Sequence, residues 1–218
     1  MARVCVWMGG TLLALLPSVL PGAALSEPIA KASRSERSSA YMRVFGVAQP
    51  PYGYVQFCRR SPEECKPGVV QEQRFNATPE RMLELDRVNR QVNAEIAPAT
   101  DLEIYGQTEY WTIPTTRGDC EDYALLKRKR LIARGWPSSA LLLTVVRDEK
   151  GEGHAVLTAR THQGDYILDN KVNDLKVWHR TGYEYVMRQS YLDPRIWMSL
   201  DSQDANAALS LSGVWPTR

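Results

Sequence analysis

The chain has 218 residues, of which 44% are hydrophobic and 24% are charged, and its formal net charge at pH 7 is +2. This composition is typical of a globular protein and excludes a disordered or fibrous chain. So small a net charge gives no electrostatic basis for binding nucleic acid, and we expect no nucleic-acid partner. The length predicts one domain once a leader is removed.

The first 26 residues have the pattern of a secretory signal peptide. Arg3 precedes a long apolar run, and small residues follow at positions 22–24, as they do before a signal cleavage site. The alternative is a single membrane anchor, because the apolar run is long enough for a short span. Pro17 and Pro21 break the end of that run and favour cleavage. We therefore expect an exported protein that is not embedded in a membrane.

The remainder of the chain divides by composition. Residues 27–40 are rich in Ser, Lys and Arg and lack apolar periodicity, which predicts a flexible linker. Residues 41–200 form the predicted folded domain, and the Ser-, Ala- and Asn-rich residues 201–218 a flexible tail. At the start of the domain, residues 41–56 combine aromatic residues with Pro and Gly, and we expect a surface loop there.

Cysteine usage sets one residue apart. Removal of the leader removes Cys5 and leaves Cys58, Cys65 and Cys120. Cys58 and Cys65 close a short charged loop, which predicts a local disulfide in an oxidising compartment; the alternative is two unrelated thiols. Cys120 is then the odd cysteine of an exported protein, and an odd cysteine there requires an explanation, such as a reactive thiol.

The first strong helix pattern begins after Thr78. This residue suits the N-cap position, Pro79 suits the first helical position, and apolar residues recur at helical spacing up to Pro98. Residues 99–118 are then expected to form an aromatic-rich loop. Three side chains of this loop either pack or line a substrate cleft: Gln107, Tyr110 and Trp111.

A second amphipathic helix begins at Cys120 and ends near Gly135. A thiol at a helix N-terminus lies against unpaired N–H groups that favour its ionised form. Three acids flank the cysteine and oppose this effect, because like charge raises a thiol pKa. They are either complements of the helix dipole or hard oxygen ligands for Ca²⁺, whose charge would cancel theirs. These acids are Asp119, Glu121 and Asp122.

Three short apolar runs further along the chain predict β-strands, at residues 141–146, 154–159 and 166–169. The last two are joined by a polar turn near residues 161–164, which predicts an antiparallel hairpin. We expect the aromatic-rich segment 178–197 to wrap around the resulting sheet.

The hairpin brings two polar side chains to the same end of the sheet. His154 starts one strand and Asp169 ends the next, and Cys120 precedes both on a helix. Cys, His and Asp in this arrangement are typical of a thiol nucleophile, an imidazole that exchanges its proton, and a carboxylate that orients the ring. The alternative is a buried structural cysteine and a structural histidine. We interpret the three as the catalytic residues of a cysteine peptidase.

Three motifs, at residues 118–124, 153–157 and 168–170, resemble those of the bacterial transglutaminase-like cysteine proteinases, which include the LapG-type periplasmic proteases. The resemblance covers roughly residues 41–197. It implies an α+β, papain-like fold, also described as transglutaminase-like, in which the nucleophile helix packs on an antiparallel sheet. It also implies a catalytic triad and a calcium ion bound beside the nucleophile. The triad is Cys120, His154 and Asp169, and the implied ligands are Asp119 and Glu121, with Asp122 a further candidate.

The resemblance also implies partners. Proteases of the LapG type cut the N-terminal region of large surface adhesins in the periplasm, which promotes biofilm dispersal, and an inner-membrane receptor that responds to cyclic di-GMP restrains them. We therefore expect a calcium-dependent periplasmic cysteine endopeptidase. Two alternatives stay open: a transglutaminase-type acyl transferase, in which an amine resolves the thioester, and a non-catalytic calcium-binding module that docks to a membrane receptor.

Overall fold

The computed structural model describes residues 40–68 and 74–202. The predicted signal peptide lies outside these residues, as do nearly all of the predicted linker and tail, so the domain boundaries stay predictions. No helix in the described part of the chain is long and apolar enough to cross a membrane.

Within the described residues, four α-helices form where the sequence supplies a start signal or an amphipathic face. They are α1 (Tyr52–Arg60), α2 (Pro79–Glu95), α3 (Asp101–Tyr105) and α4 (Cys120–Ala133). The predicted start of α2 is confirmed, because the Thr78 side chain accepts a hydrogen bond from the backbone N–H of Arg81. The predicted start of α4 at Cys120 is confirmed as well.

Seven strands of the described chain form one antiparallel sheet, and two short strands pair in parallel beside it. The seven are β1 (Gly46–Ala48), β4 (Leu141–Arg147), β5 (Gly153–Thr161), β6 (Gly164–Leu168), β7 (Lys176–Val177), β8 (Glu184–Gln189) and β9 (Trp197–Ser199). Their order across the sheet is β1-β9-β8-β4-β5-β6-β7. The parallel pair is β2 (Ala97–Pro98) and β3 (Arg117–Gly118).

The predicted hairpin is confirmed as β5 and β6. Leu157 lies opposite Leu168, and the strands close at the pair Thr161 and Gly164. Because the register is antiparallel, the start of β5 and the end of β6 lie at the same end of the sheet. The helix α4 packs against β5 and β4 on one face of the sheet. The fold is therefore the predicted one, a nucleophile helix on an antiparallel sheet.

The two faces of the sheet carry cores of different size. The larger core lies between the sheet and the helices, and it includes Leu85, Leu131, Leu143 and Leu157, none of which is more than 1% exposed. The smaller core lies on the opposite face. Its members are Met42, Val146, Val156, Ile167 and Tyr185.

Three predicted irregular segments are wrong in whole or in part. Residues 41–56 are not a surface loop, because they contain β1 and the first half of α1. The Tyr54 and Phe57 side chains of α1 are buried. Residues 178–197 do not wrap the sheet. They contain β8, which pairs with β4 and β9 inside it. In both segments prolines, glycines and aromatic residues concealed short elements that tertiary pairing stabilises.

The predicted loop at residues 99–118 contains the short helix α3. Thr100 and Glu103 form a capping box, in which the Thr100 hydroxyl accepts from the Glu103 N–H and the Glu103 carboxylate accepts from the Thr100 N–H. This signal is present in the sequence as Thr-x-x-Glu, but the aromatic composition of the segment favours a loop.

The predicted disulfide between Cys58 and Cys65 is present. It joins the last turn of α1 to the 3₁₀ turn that follows, at Pro62–Cys65. Among the cysteines of the described residues, Cys120 is then the free one.

Candidate active site

Cys120 is the first residue of helix α4. Just before it in the chain, the backbone of Gly118 lies close to the Asp122 side chain. A Cβ atom on Gly118 would lie 2.6 Å from the Asp122 Oδ2 atom and 2.8 Å from its Cβ atom. Only glycine therefore leaves room for the Asp122 side chain beneath the turn. The Asp122 Oδ1 atom accepts a hydrogen bond of 2.8 Å from the Thr112 N–H, which ties the preceding loop to the helix.

The Cys120 thiol lies against the first residues of β5. The backbone N–H of Ala155 donates to the Cys120 Sγ atom over 3.4 Å. Because Ala155 follows His154 directly, this contact places the thiol at the start of β5, next in sequence to the predicted imidazole partner. The thiol itself donates to the Glu121 Oε2 atom over 3.1 Å. Within the described residues, the Glu121 carboxylate is thus the acceptor of the thiol proton.

His154 and Asp169 are paired as the hairpin register requires. The His154 Nε2 atom lies 2.9 Å from the Asp169 Oδ1 atom, and both residues are buried. With a proton on Nε2, the ring donates to the carboxylate and its Nδ1 atom is left as the proton acceptor. The structure therefore brings Cys120, His154 and Asp169 together at one end of the sheet.

Three further groups hold the Asp169 carboxylate and its backbone. The Tyr183 hydroxyl donates to the Oδ2 atom over 2.5 Å, and the Lys171 N–H donates to the Oδ1 atom over 3.0 Å. The Asn93 side chain donates to the Asp169 carbonyl over 2.9 Å. Burial acts to raise the Asp169 pKa, but the hydrogen bonds from His154 and Tyr183 outweigh it and hold this pKa below its usual value.

A cluster of three acids, which we call the acid cluster, lies beside the thiol. One ligand oxygen from each of Asp101, Asp119 and Glu121 lies within 4.8 Å of the others. Asp101 is 1% exposed, and its Oδ2 atom accepts from the Tyr110 N–H. The Asp119 Oδ2 atom accepts from the Asp101 N–H over 3.2 Å. These contacts tie the starts of α3 and α4 together.

Burial dominates the electrostatics of this cluster. It raises the pKa of Glu121 to about 9, with the charge of Asp119 as the second cause. It also raises the pKa of Asp119. The Cys120 pKa lies well above its usual value, first because the thiol is buried and second because the Glu121 carboxylate repels the thiolate. We expected the acids to oppose ionisation of the thiol; they do, but burial has the larger effect.

The acid cluster fits a hard divalent cation such as Ca²⁺. The Asp101 Oδ1 and Asp119 Oδ1 atoms are buried and have no hydrogen-bond partner among the described residues. Buried carboxylate oxygens in that state lack compensation for the loss of water, and a cation supplies it. Of the predicted ligands, Asp119 and Glu121 lie in the cluster, whereas Asp101 joins them in place of Asp122.

Sequence reasoning missed Asp101 and Tyr183. The capping box of α3 was a signal that Asp101 opens a helix, but nothing local indicated that it meets Asp119. That contact depends on the parallel pairing of β2 with β3, which places Ala97 opposite Arg117. No sequence signal connected Tyr183 with Asp169.

The aromatic loop before the nucleophile packs rather than forming an obvious cleft. Trp111 is 3% exposed, contacts the rings of Tyr54 and Trp197, and donates from its Nε1 atom to Glu109 over 3.0 Å. Tyr110 stacks with Tyr105, with ring centroids 4.4 Å apart. Gln107 is exposed.

The profile of the bacterial transglutaminase-like cysteine proteinases (BTLCP) matches residues 44–205, which include every residue of the site described above. The chain belongs to this family. It is therefore a cysteine peptidase, which acts on a protein substrate, and its helix-on-sheet architecture is papain-like. No curated protein matches the chain.

Solved structures of LapG from Legionella pneumophila are similar to this transglutaminase-like proteinase. The calcium-bound form is 26% identical, with a TM-score of 0.47, over 64% of this chain and 83% of that chain. A further LapG structure is 25% identical, with a TM-score of 0.47, over 62% and 78%. An EGTA-treated form is 28% identical, with a TM-score of 0.44, over 52% and 64%. These likenesses are partial, and the family assignment rests on the sequence profile.

Proposed function

We propose that this chain is a calcium-dependent cysteine endopeptidase of the periplasm in which Cys120, His154 and Asp169 are the catalytic residues. The observation that carries the catalytic assignment is a pair of contacts. The Cys120 thiol lies against the N–H that follows His154, and the His154 ring is paired with Asp169 over 2.9 Å.

The geometry assigns a role to each residue. The His154 Nδ1 atom accepts the thiol proton, and the Cys120 sulfur forms a bond to the carbonyl carbon of the scissile peptide. His154 then gives this proton to the departing amine as the C–N bond breaks. Water hydrolyses the thioester to a carboxylic acid and restores the thiol. Asp169 keeps the ring in the required tautomer and stabilises its charged form.

Asp101, Asp119 and Glu121 would hold the calcium ion. Its positive charge would offset the carboxylates beside the thiol. Glu121 accepts a hydrogen bond from the Cys120 thiol over 3.1 Å and so competes with His154 for the same proton. As a calcium ligand, Glu121 would no longer accept the thiol proton, which would be left to His154. We therefore expect cleavage to depend on calcium.

For the substrate, the resemblance to LapG-type proteases supports the N-terminal region of a large surface adhesin, and a role in biofilm release. The signal-like first 26 residues support the same compartment. A purified N-terminal adhesin region should be cut by the mature chain, and the periplasmic domain of a cyclic di-GMP-responsive receptor should slow the cut. An uncut adhesin region, with other proteins cleaved, would contradict the substrate proposal alone.

The catalytic assignment is tested with a proteome-derived peptide library in the presence of calcium, with new termini read by mass spectrometry. Cys120→Ala and His154→Ala should each reduce cleavage by roughly a thousandfold or more, because residues of such a triad act as a unit. The matched control is His162→Ala, since His162 is exposed in the turn between β5 and β6. Cleavage retained by Cys120→Ala would refute the assignment.

The same library separates hydrolysis from acyl transfer. With cadaverine added, hydrolysis yields peptides that end in a free carboxylic acid, whereas acyl transfer yields peptides that carry the amine. We expect the free acid, because the chain belongs to a peptidase family. Amine adducts as the main products would favour the acyl transferase.

A further inference from the structure

Three arginines surround one buried aspartate at the end of β5 and β6 remote from the nucleophile. Asp165 on β6 is fully buried and lies opposite Arg160 on β5. Its Oδ1 atom accepts from Arg74 over 2.6 Å. Its Oδ2 atom accepts from Arg188 on β8 over 3.4 Å and from the Met42 N–H over 2.8 Å. We call Arg74, Arg160, Arg188 and Asp165 the arginine cluster.

The cluster contains buried donors that nothing in the described chain satisfies. Arg160 and Arg188 are 5% and 4% exposed. The Nε and Nη1 atoms of Arg160 and the Nε atom of Arg188 are buried and lack a hydrogen-bond partner among residues 40–68 and 74–202. The ring of Tyr191 lies 5.0 Å from the Arg160 guanidinium, but a ring face is a much weaker acceptor for these N–H groups than an oxygen atom. Buried guanidinium donors without acceptors are costly.

The charges of the cluster are also out of balance. Three guanidinium groups carry three positive charges, and the single carboxylate of Asp165 carries one negative charge. The pKa of Arg160 is lowered to about 10, first by burial and then by the positive charges of Arg188 and Arg74. The carboxylate already accepts from Arg74, Arg188 and Met42, so it has little capacity left for Arg160. The surplus charge and the unused donors belong to the same side chains.

We propose that the arginine cluster is a binding site for a small tetrahedral oxyanion of the phosphate or sulfate class. Such an anion offers several acceptor oxygens to the forked guanidinium groups and balances their surplus charge. Asp165 lies four residues before Asp169, which directly follows β6, so the site is roughly 13 Å from the catalytic carboxylate. The bound anion therefore stabilises the sheet and takes no part in catalysis.

The test is thermal unfolding of the mature chain, with inorganic phosphate and inorganic sulfate each titrated at constant ionic strength against chloride. Preferential binding to the folded state raises the midpoint with a saturating dependence on concentration. The wild-type chain should show this rise, and Arg160→Gln should lose it. Arg147→Gln is the matched control, because Arg147 is an exposed arginine on the neighbouring strand β4, and it should retain the rise.

Three results would overturn the proposal. The first is a wild-type midpoint that does not respond to either anion, and the second is a response that Arg160→Gln retains. The third is a response that appears only in Glu72→Gln, since a carboxylate of the chain would then already fill the place; Glu72 lies outside the described residues. If Arg160→Gln does not fold, Arg188→Lys keeps the charge but not the forked donors, and it should weaken the apparent anion affinity by about tenfold or more.

Discussion

The acid cluster and the arginine cluster each bury an excess of charge of one sign, but they differ in what surrounds them. Asp101, Asp119 and Glu121 lie at the starts of two helices and beside the thiol. Arg160 and Arg188 lie within strands of the sheet, near the end of the sheet that is remote from the Cys120 thiol. In each cluster a counter-ion would offset the cost of burying unbalanced charge. On the proposals above, a counter-ion at the helix starts would change the chemistry of Cys120, whereas one at the sheet end would change only stability.

The largest expected effect separates the two clusters by activity. Asp119→Asn should weaken calcium binding by about a hundredfold and reduce cleavage at limiting calcium accordingly, because it removes a charged oxygen from the ligand set. Arg160→Gln should leave calcium affinity and cleavage within about twofold. Calorimetric calcium titration and library cleavage on the same preparations measure both quantities. Equal losses of calcium affinity and cleavage in the two variants would show that the two clusters do not differ in function.

A smaller effect on cleavage is expected at the His154–Asp169 pair, where the carboxylate already has a partner. In Tyr183→Phe the Asp169 carboxylate loses a donor at 2.5 Å, so the Asp169 pKa rises and the His154–Asp169 pair weakens. Cleavage should slow by roughly tenfold, and the acidic limb of its pH–rate profile should move to higher pH.

The control for this variant is Tyr185→Phe. The Tyr185 hydroxyl hydrogen-bonds to the Trp178 carbonyl over 3.1 Å and to Thr181, rather than to Asp169, so its loss should leave the pH–rate profile in place. A shift of equal size in both variants would mean that packing, rather than the hydrogen bond to Asp169, sets the acidic limb.

The smallest expected effect is on the pH dependence of stability, at the ion pair between the Asp148 carboxylate and Lys171. Lys171 donates to the Asp148 Oδ2 atom over 2.7 Å, and this hydrogen bond is the main reason that the Asp148 pKa falls to about 2. The usual Asp pKa is about 3.9, so the stabilisation is complete above about pH 4 and is lost as the pH falls towards about 2. Asp148→Asn should remove this part of the pH dependence. Urea midpoints from pH 5 to pH 2 measure it, and parallel curves for variant and wild type would contradict the assignment.

Most of the fold near the site could be predicted from local patterns. The caps and periodicity of α2 and α4, and the apolar runs of β4, β5 and β6, lie within short segments. The hairpin between β5 and β6 fixed the neighbourhood of His154 and Asp169, because antiparallel register follows from the position of the turn. The segments predicted wrongly, such as the one that contains β8, depend on partners distant in the sequence.

The sequence by itself determined the helix that presents Cys120, the hairpin that pairs His154 with Asp169, and the disulfide between Cys58 and Cys65. Each follows from residues a few positions apart or from a turn that sets a register. Only the tertiary structure decided that Asp101 joins Asp119 and Glu121, that Tyr183 holds Asp169, and that Arg74 and Arg188 meet at Asp165. Those contacts cross between elements, and side-chain patterns along one element carry no information about which distant residue it will meet.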